Sequence, residues 1–522
     1  MLLSKSEYIL WRDCPHTAWL KKRRRAIYDQ CAGAGLSDFE RALAETGNQV
    51  EEHARRLYPG GQLVDGRGNA AVELTSTLLA QRKPVLFQAA LTNGTLFAAI
   101  DILLVNPTTG ALSVLEVKAT TEDKSPKKNP DTFLADRHIQ DLGFQVSLLQ
   151  RLGYTVERAA IMHLNKDYVR TGELDLRALF VEDDVTEFLI EWMPAIDADI
   201  AKAVAFMSDD AEPMGPCGCI YRGRSNHCTA FAHFNPTVGS SSVHDITYIG
   251  STLPLLRKLV DTGILSISGI PADFGFTQHR QLRQIEAHQS GQTFLDRAAI
   301  DGELGRITYP IHFLDYETFA PAIPRFDGYR PFQHMPFQFS LHIVRSPGAA
   351  PQHHAFLYTD GEDPASELFA ELRPLIGETG SIVVWSKAME GSNVHDRQKV
   401  RLPQYADFFA SMNARIVDLL EIFRKQYYVM PAFHGRTSIK YVLPALVGWS
   451  YANLEIGNGT EVMHTWNRIV LGEIFGEAKD ARRREMLQYC ELDTKAMWGI
   501  WARLRNEVAQ PLDQHPAAVP VN

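Results

Sequence analysis

Two carboxylates and a lysine meet in residues 86–119, LFQAALTNGTLFAAIDILLVNPTTGALSVLEVKA. Two apolar, β-prone runs flank Asn106-Pro107-Thr108-Thr109-Gly110, a turn signal. Asp101 sits in the first run and Glu116 near the end of the second, where a buried strand should carry no charge. Strand side chains alternate, so Glu116 and Lys118 share a face. A hairpin closed at the turn sets Asp101 about opposite Glu116. Unpaired charge on an apolar sheet is costly. A divalent cation offsets that cost, and clustered hard oxygens suit magnesium or manganese. Lys118 would then orient water or stabilise a developing negative charge. A surface hairpin with a solvated Glu–Lys pair fits the same spacing.

Flanking segments add candidates. The helical stretch 39–57 (FERALAETGNQVEEHARRL) groups Gly47, Val50, Glu51 and Ala54 on one face. Glu51 is there either a third carboxylate for the metal or a solvated acid. A helix over 136–152 carries Gln145 beside Asp141, Leu148 and Leu149, and a glutamine on an apolar face needs partners. In the second half, the apolar strand 309–318 (YPIHFLDYET) delivers Asp315 and Glu317 to one face. Residues 381–386 (SIVVWS) form another strand, followed by a helical stretch with Glu390. The amphipathic helix 484–501 puts Tyr489 and Asp493, four apart, on one side.

These groups need elements to position them. Ser4 is a helix N-cap, Tyr8, Trp11 and Trp19 share an apolar face, and Cys14-Pro15 breaks that helix in two. Strands are expected over 86–119, 156–170 and 330–344. Residues 236–250 read as a linker, followed by short helices near 253–261 and 276–288. Between them, 263–271 (GILSISGIP) resembles a helix–hairpin–helix element or is a plain spacer. The 522 residues, 45% hydrophobic and 22% charged, suit a soluble protein of more than one domain. No apolar run spans a bilayer and no signal peptide opens the chain, so no membrane role is expected and the cytoplasm is. Six cysteines do not make a disulfide scaffold. A net charge of −9 argues against attraction of nucleic acid over the whole surface, leaving local basic runs at 21–25, 124–128 and 482–484.

The order strand–strand–helix–strand around Asp101, Glu116-Val117-Lys118 and Gln145 resembles the PD-(D/E)xK nucleases, and within them the RecB-like exonucleases. Glu51 falls where that family often has histidine, and Leu149 where it has tyrosine. Some RecB-like nucleases clamp their ends with a four-cysteine iron–sulfur cluster. Cys14 upstream, with Cys217, Cys219 and Cys228 in PCGCIYRGRSNHC, resembles that arrangement. It implies a 4Fe-4S cluster, with zinc as the alternative, because thiolates favour both. Asp315, Glu317, Tyr489 and Asp493 resemble the DnaQ-like exonucleases of RNase H-like fold. In that family four acids hold two metals and the tyrosine orients water. Glu390 matches a position where the family usually has aspartate, with Asp396 its rival, and Asp418 matches a non-catalytic one.

Nearly the whole chain resembles a bacterial family of unknown function that joins these two domains. MPFQFSLH (335–342), SIKYVLPAL (438–446) and YCELDTKAM (489–497) carry the second half of the likeness. The expected fold is α/β in two domains, each a mixed sheet flanked by helices. The first, 1–235, is restriction-endonuclease-like, 236–305 is a helical linker, 306–508 is RNase H-like and 509–522 is a flexible tail. The resemblance implies a magnesium- or manganese-dependent nuclease, a DNA exonuclease in repair or anti-phage defence. Its metal ligands would be Asp101, Glu116, Asp315, Glu317, Glu390 and Asp493. A nucleic-acid-binding subunit with one or both sites inactive, or an RNA-directed nuclease, is the alternative.

Overall fold

A computed structural model describes residues 1–33, 38–66, 68–122 and 135–509. The basic run 124–128 and all but the first residue of the tail 509–522 lie outside the described residues. The protein is α/β, with mixed sheets flanked by helices in two sheet-bearing regions. It divides into two compact units. Unit 1 comprises Met1–Ile220, His227–Pro236 and Pro321–Phe332, and unit 2 comprises Tyr221–Asn226, Thr237–Ala320 and Gln333–Asn522. Among the described residues no helix is long and apolar enough to cross a membrane.

Unit 1 is built on seven strands: β1 (Leu3–Ser4), β2 (Gln62–Leu63), β3 (Val85–Thr92), β4 (Leu96–Val105), β5 (Leu112–Lys118), β6 (Val156–Leu164) and β7 (Phe180–Asp184). The order is β2-β3-β4-β5-β6-β7, with β1 paired to β4. The strands β3, β4 and β5 run antiparallel. Parallel pairing of β5 with β6 needs a crossover, which the helix Arg137–Arg151 supplies. At the β4–β5 turn, Asn106 Oδ1 accepts from the Thr108 and Thr109 amides. The resulting register pairs Ile102 with Leu115, so one step further Asp101 stands across from Glu116.

At the chain start, Ser4 and Glu7 form a capping box that launches the helix Lys5–Asp13. Proline at the first position of Pro15–Arg23 then starts a second helix. Unit 1 also takes in Pro321–Phe332, a segment that a boundary at 306 had assigned elsewhere. Two interactions explain its place. Ala322 and Phe332 pack with Leu164 and Tyr168, and the Arg170 guanidinium donates to the Pro324 and Arg325 carbonyls.

Unit 2 contains β8 (Phe294–Leu295), β9 (Ile311–Phe319), β10 (Met335–Val344), β11 (Gln352–Leu357), β12 (Ser381–Val384), β13 (Ile416–Asp418) and β14 (Tyr428–Val429). Five strands order as β11-β10-β9-β12-β13, and β14 pairs with β8. The strand β10 is antiparallel to both neighbours, and β12 is parallel to β9 and β13. Every residue of β10 is buried, as a strand covered on both faces requires.

The span expected as a linker, 236–305, folds within unit 2 around Val243, Ile246, Ile249, Leu256, Leu259 and Ile267. Its helices Leu253–Asp261 and His279–Ser290 are separated by a 3₁₀ turn, Ile267–Gly269.

The helix Gly476–Ala509 docks on β10 through buried polar contacts. Gln338 donates to the Met486 carbonyl at 2.9 Å, and Thr494 Oγ1 sits 2.7 Å from Ser340 Oγ and 2.8 Å from His342 Nδ1. Replacing Thr494 with valine leaves two buried polar groups without that partner. Thr494→Val should therefore lower unfolding stability by about 1–3 kcal/mol, measured by denaturant titration.

Candidate functional site

Three chemical groupings stand out, two in unit 1 and one in unit 2.

The first surrounds Glu116, which is 1% exposed. Lys5 Nζ donates to both its oxygens, at 2.9 and 3.0 Å. Lys118 Nζ bridges Glu116 and Asp141, 2.6 Å from each, and Gln145 Nε2 reaches Glu116 Oε2 at 2.6 Å. Asp101 accepts from the Val117 amide at 2.9 Å and from Gln88 Nε2 at 3.1 Å. Gln88 also donates to Glu51 at 2.5 Å, and Arg55 binds the same Glu51 oxygen. The structure thus gathers Asp101, Glu116, Lys118, Gln145 and Glu51 in one network.

Sequence reasoning missed Lys5 and Gln88 and noted Asp141 only as a neighbour of Gln145. Lys5 begins a helix whose capping box was legible, but its partner lies 111 residues away. Gln88 adopts φ +53° inside β3, an uncommon state for a non-glycine residue, and there it touches both Glu51 and Asp101.

Charge compensation is uneven within this network. Burial opposes ionisation of Glu116, but Lys118 and Lys5 outweigh it and hold its carboxyl below the usual range. Burial, with the Glu116 charge, pushes Asp101 up to about 7 and Asp141 up to about 6. Both lysines are held charged against burial, chiefly by Glu116. The buried charge here is offset largely by protein cations.

The second grouping holds four sulfurs. Cys14, Cys217, Cys219 and Cys228 place their Sγ atoms within 4.8 Å of one another, and all are free thiols. Cys217 and Cys228 are 3.8 Å apart, and Asn235 Nδ2 donates to Cys217 Sγ at 3.1 Å. Four convergent thiols can bind a metal ion.

The third lies in unit 2. Asp315 and Glu317 on β9, Glu390 on the π-helical turn Ala388–His395, and Tyr489 and Asp493 on Gly476–Ala509 are brought into mutual electrostatic range. Burial first, and then their neighbours' charge, raises Asp315, Glu317 and Glu390 well above the carboxylate range. Asp493 is pushed up to about 7 by burial, against the pull of a 2.5 Å hydrogen bond from Tyr451 and the charge of Lys440. Glu390 is 2% exposed, and its Oε2 has no hydrogen-bond partner.

The rival acid Asp396 is exposed and accepts from Asn413, so Glu390 is the acid of this pair that faces Asp315. Asp418 accepts from the Lys387 and Leu420 amides, a capping role. Tyr451, Lys440 and Cys490 were not anticipated as parts of this cluster. The Cys490 thiol donates to Asp315 Oδ2 at 3.7 Å, and burial raises it well above the thiol range, so it stays protonated. Asp315, Glu317 and Cys490 form the second group among the described residues that could hold an ion. Unlike Glu116, these acids bond no lysine among the described residues, and their clustered oxygens with the orphaned Glu390 oxygen fit a divalent cation.

The basic runs at 21–25 and 482–484 are largely paired within the chain. Lys22 pairs with Glu7, Arg23 with Asp210 and the Met207 carbonyl, Arg25 with Asp29, and Arg482 with Glu485.

A family model described as a domain of unknown function (DUF2779) matches residues 312–438. The matched span contains Asp315, Glu317 and Glu390 and stops short of Tyr489 and Asp493. No curated protein matches the chain.

A carboxyl raised in the folded state contributes stability below its unfolded value, about 4, and loses it as pH rises through the folded one. For Asp493 that loss runs from about 4 to about 7 and is complete above it. In metal-free buffer the melting temperature should fall between pH 5 and pH 8, and Asp493→Asn should flatten that fall.

Proposed function

We propose that this protein is a divalent-metal-dependent nuclease whose principal site is the acid cluster of unit 2. The observation that carries the reading is four clustered carboxylates with raised proton affinity, Glu317, Glu390 and Asp493 buried and Asp315 half-buried, one of them with an unpartnered oxygen. The strand order β11-β10-β9-β12-β13, with only β10 antiparallel, supports an RNase H-like fold. Asp315, Glu317, Glu390 and Asp493 would hold magnesium or manganese, hard ions matched to carboxylates. When bound, the ions supply Lewis-acid stabilisation of the attacking and leaving oxygens.

The chain's own part is positioning. Tyr489, whose phenol is kept protonated by burial and by Asp493, orients the attacking water. Tyr451 fixes the Asp493 carboxylate. Water oxygen bonds to phosphorus, the P–O bond to the leaving sugar breaks, and the proton ends on the departing oxygen. DNA is the proposed substrate, with RNA the alternative class for the same site.

Unit 1 supports a second site of PD-(D/E)xK type. Its helix Asp38–Arg55, antiparallel β3–β4–β5, crossover helix and parallel β6 match that order. Asp101 and Glu116 would ligate metal there, with Lys5 giving up its place on Glu116, while Lys118 and Gln145 orient the reacting groups. Free thiols throughout suit a cytoplasmic setting. Asp493→Asn should abolish one metal-dependent activity and Asp101→Asn another, scored on single-stranded, duplex and RNA substrates. A double variant that degrades every substrate as fast as the parent would overturn the assignment.

For the cysteines, spacing favours one ion over a cluster. Metal–sulfur bonds of about 2.3 Å around a single tetrahedral ion set sulfurs about 3.8 Å apart, the Cys217–Cys228 separation. A cubane gives each thiolate its own iron and spreads them further. Anaerobically purified protein should be colourless with about one zinc per chain, by metal analysis. Visible absorption that bleaches on reduction would assign iron–sulfur instead.

A further inference from the structure

Unit 2 contains a polar cavity of ≈ 570 Å³ lined by none of the acids just described. An adjoining cavity of ≈ 690 Å³ shares its Tyr248 and Arg424 walls. Arg224, Arg280, Arg424, Arg436 and Lys425 line the pair of cavities, against only Asp245 and Glu421. Asp245 is buried and bound by Arg224, so that pair is structural. Glu421 pairs with Arg424 at 3.3 Å and Glu303 with Lys425 at 2.9 Å, which leaves Arg280 and Arg436 as the lining cations with no carboxylate partner among the described residues, and these suit an anionic ligand.

The backbone here is unusual. Tyr248 (φ +52°), His434 (φ +48°) and Gly435 (φ +69°) all line the smaller cavity in the left-handed region. Strain of this kind persists where the surroundings over-determine it, and it gathers at ligand sites. Gly435 passes so close to the Asp245 carbonyl that a Cβ would collide with it. The Tyr248 ring is 48% exposed, with the Arg280 guanidinium 4.0 Å from its centre. Arg436 rests likewise on Tyr441, 4.5 Å from its centre. An exposed ring beside guanidinium groups is how a strand with unpaired bases is held, a base on the ring and phosphates on the cations.

Position ties this cavity to the acid cluster. Thr437 lines it, and three residues further along the chain Lys440 lies within the field of Asp493 and Glu317. Three residues put the Thr437 and Lys440 Cα atoms at most about 11 Å apart.

We propose that this cavity is the binding track for a single nucleic-acid strand running into the Asp315–Asp493 cluster. Tyr248 stacks an unpaired base, and Arg280 and Arg436 hold the flanking phosphates. The proposal rests on the nuclease reading of that cluster.

The test uses the full chain and two probes. One is fluorescein-labelled oligothymidylate of twelve nucleotides, followed by anisotropy without added magnesium. The other is bis-p-nitrophenyl phosphate, a diester too small to reach the cavity, hydrolysed with magnesium. Tyr248→Ala and Arg436→Glu should each weaken oligomer binding about tenfold or more. Arg436→Glu should also lower the salt slope of binding by about 0.7. Tyr248→Trp should bind like the parent, and all three variants should hydrolyse the small diester within about twofold of it. Parent-like oligomer binding by both disruptive variants would overturn the proposal, and so would equal loss of binding and small-diester hydrolysis. Binding that depends on Tyr248 and Arg436 in a parent that hydrolyses neither probe would sink the nuclease reading and leave the strand site standing.

Discussion

Buried negative charge is the constraint on which the rest of this protein turns. A carboxylate taken out of water must be paired, protonated or bound to a cation. Each acid cluster meets that demand differently. Around Glu116 the chain brings its own cations, Lys5 and Lys118, and a carboxamide from Gln145. Around Asp315 it brings hydroxyl and thiol groups, with Lys440 nearby but bonded to the Gly457 carbonyl. One network is nearly charge-balanced by the chain itself. The other is left proton-hungry, and that contrast makes it the stronger candidate for metal chemistry.

The folds serve these clusters by delivering acids from separate elements to one place. In unit 2, a central strand, a π-helical turn and a long C-terminal helix each contribute. The helix is held in register on β10 by Thr494 between Ser340 and His342, one turn of chain beyond Tyr489 and Cys490. Fixing that register fixes where Asp493 points, so a small buried polar contact serves both stability and site geometry. In unit 1, the tight Asn106 turn plays the equivalent part, because a one-residue slip would send Glu116 to the opposite face.

Much of this was legible in the residues themselves. The alternation and turn in 86–119 determine a hairpin with Asp101 across from Glu116, and the structure has that register. The capping box at Ser4, the break at Cys14-Pro15 and the face shared by Tyr489 and Asp493 are equally local. Less legible was the span 236–305. Serine, glycine and valine in 236–250 suggested a linker, with short helices after it, yet scattered Val243, Ile246 and Leu256 close a core of their own. Local composition did not reveal that these residues would meet.

Short-range geometry therefore came from the amino-acid order alone: strand alternation, turns, caps and helix faces depend on neighbours within a few residues. Whether the buried acids would find cations did not, because Lys5 reaches Glu116 across 111 residues and nothing near either residue encodes the meeting. The grouping of Cys14 with Cys217, Cys219 and Cys228 was suggested only by resemblance, and their sub-5 Å spacing came from the fold. The cavity at Tyr248 and Arg436 was silent in the sequence, since it is assembled from four separated segments whose left-handed residues carry no local signature. Charge compensation and concavity are properties of distance in space, and only the folded chain sets those distances.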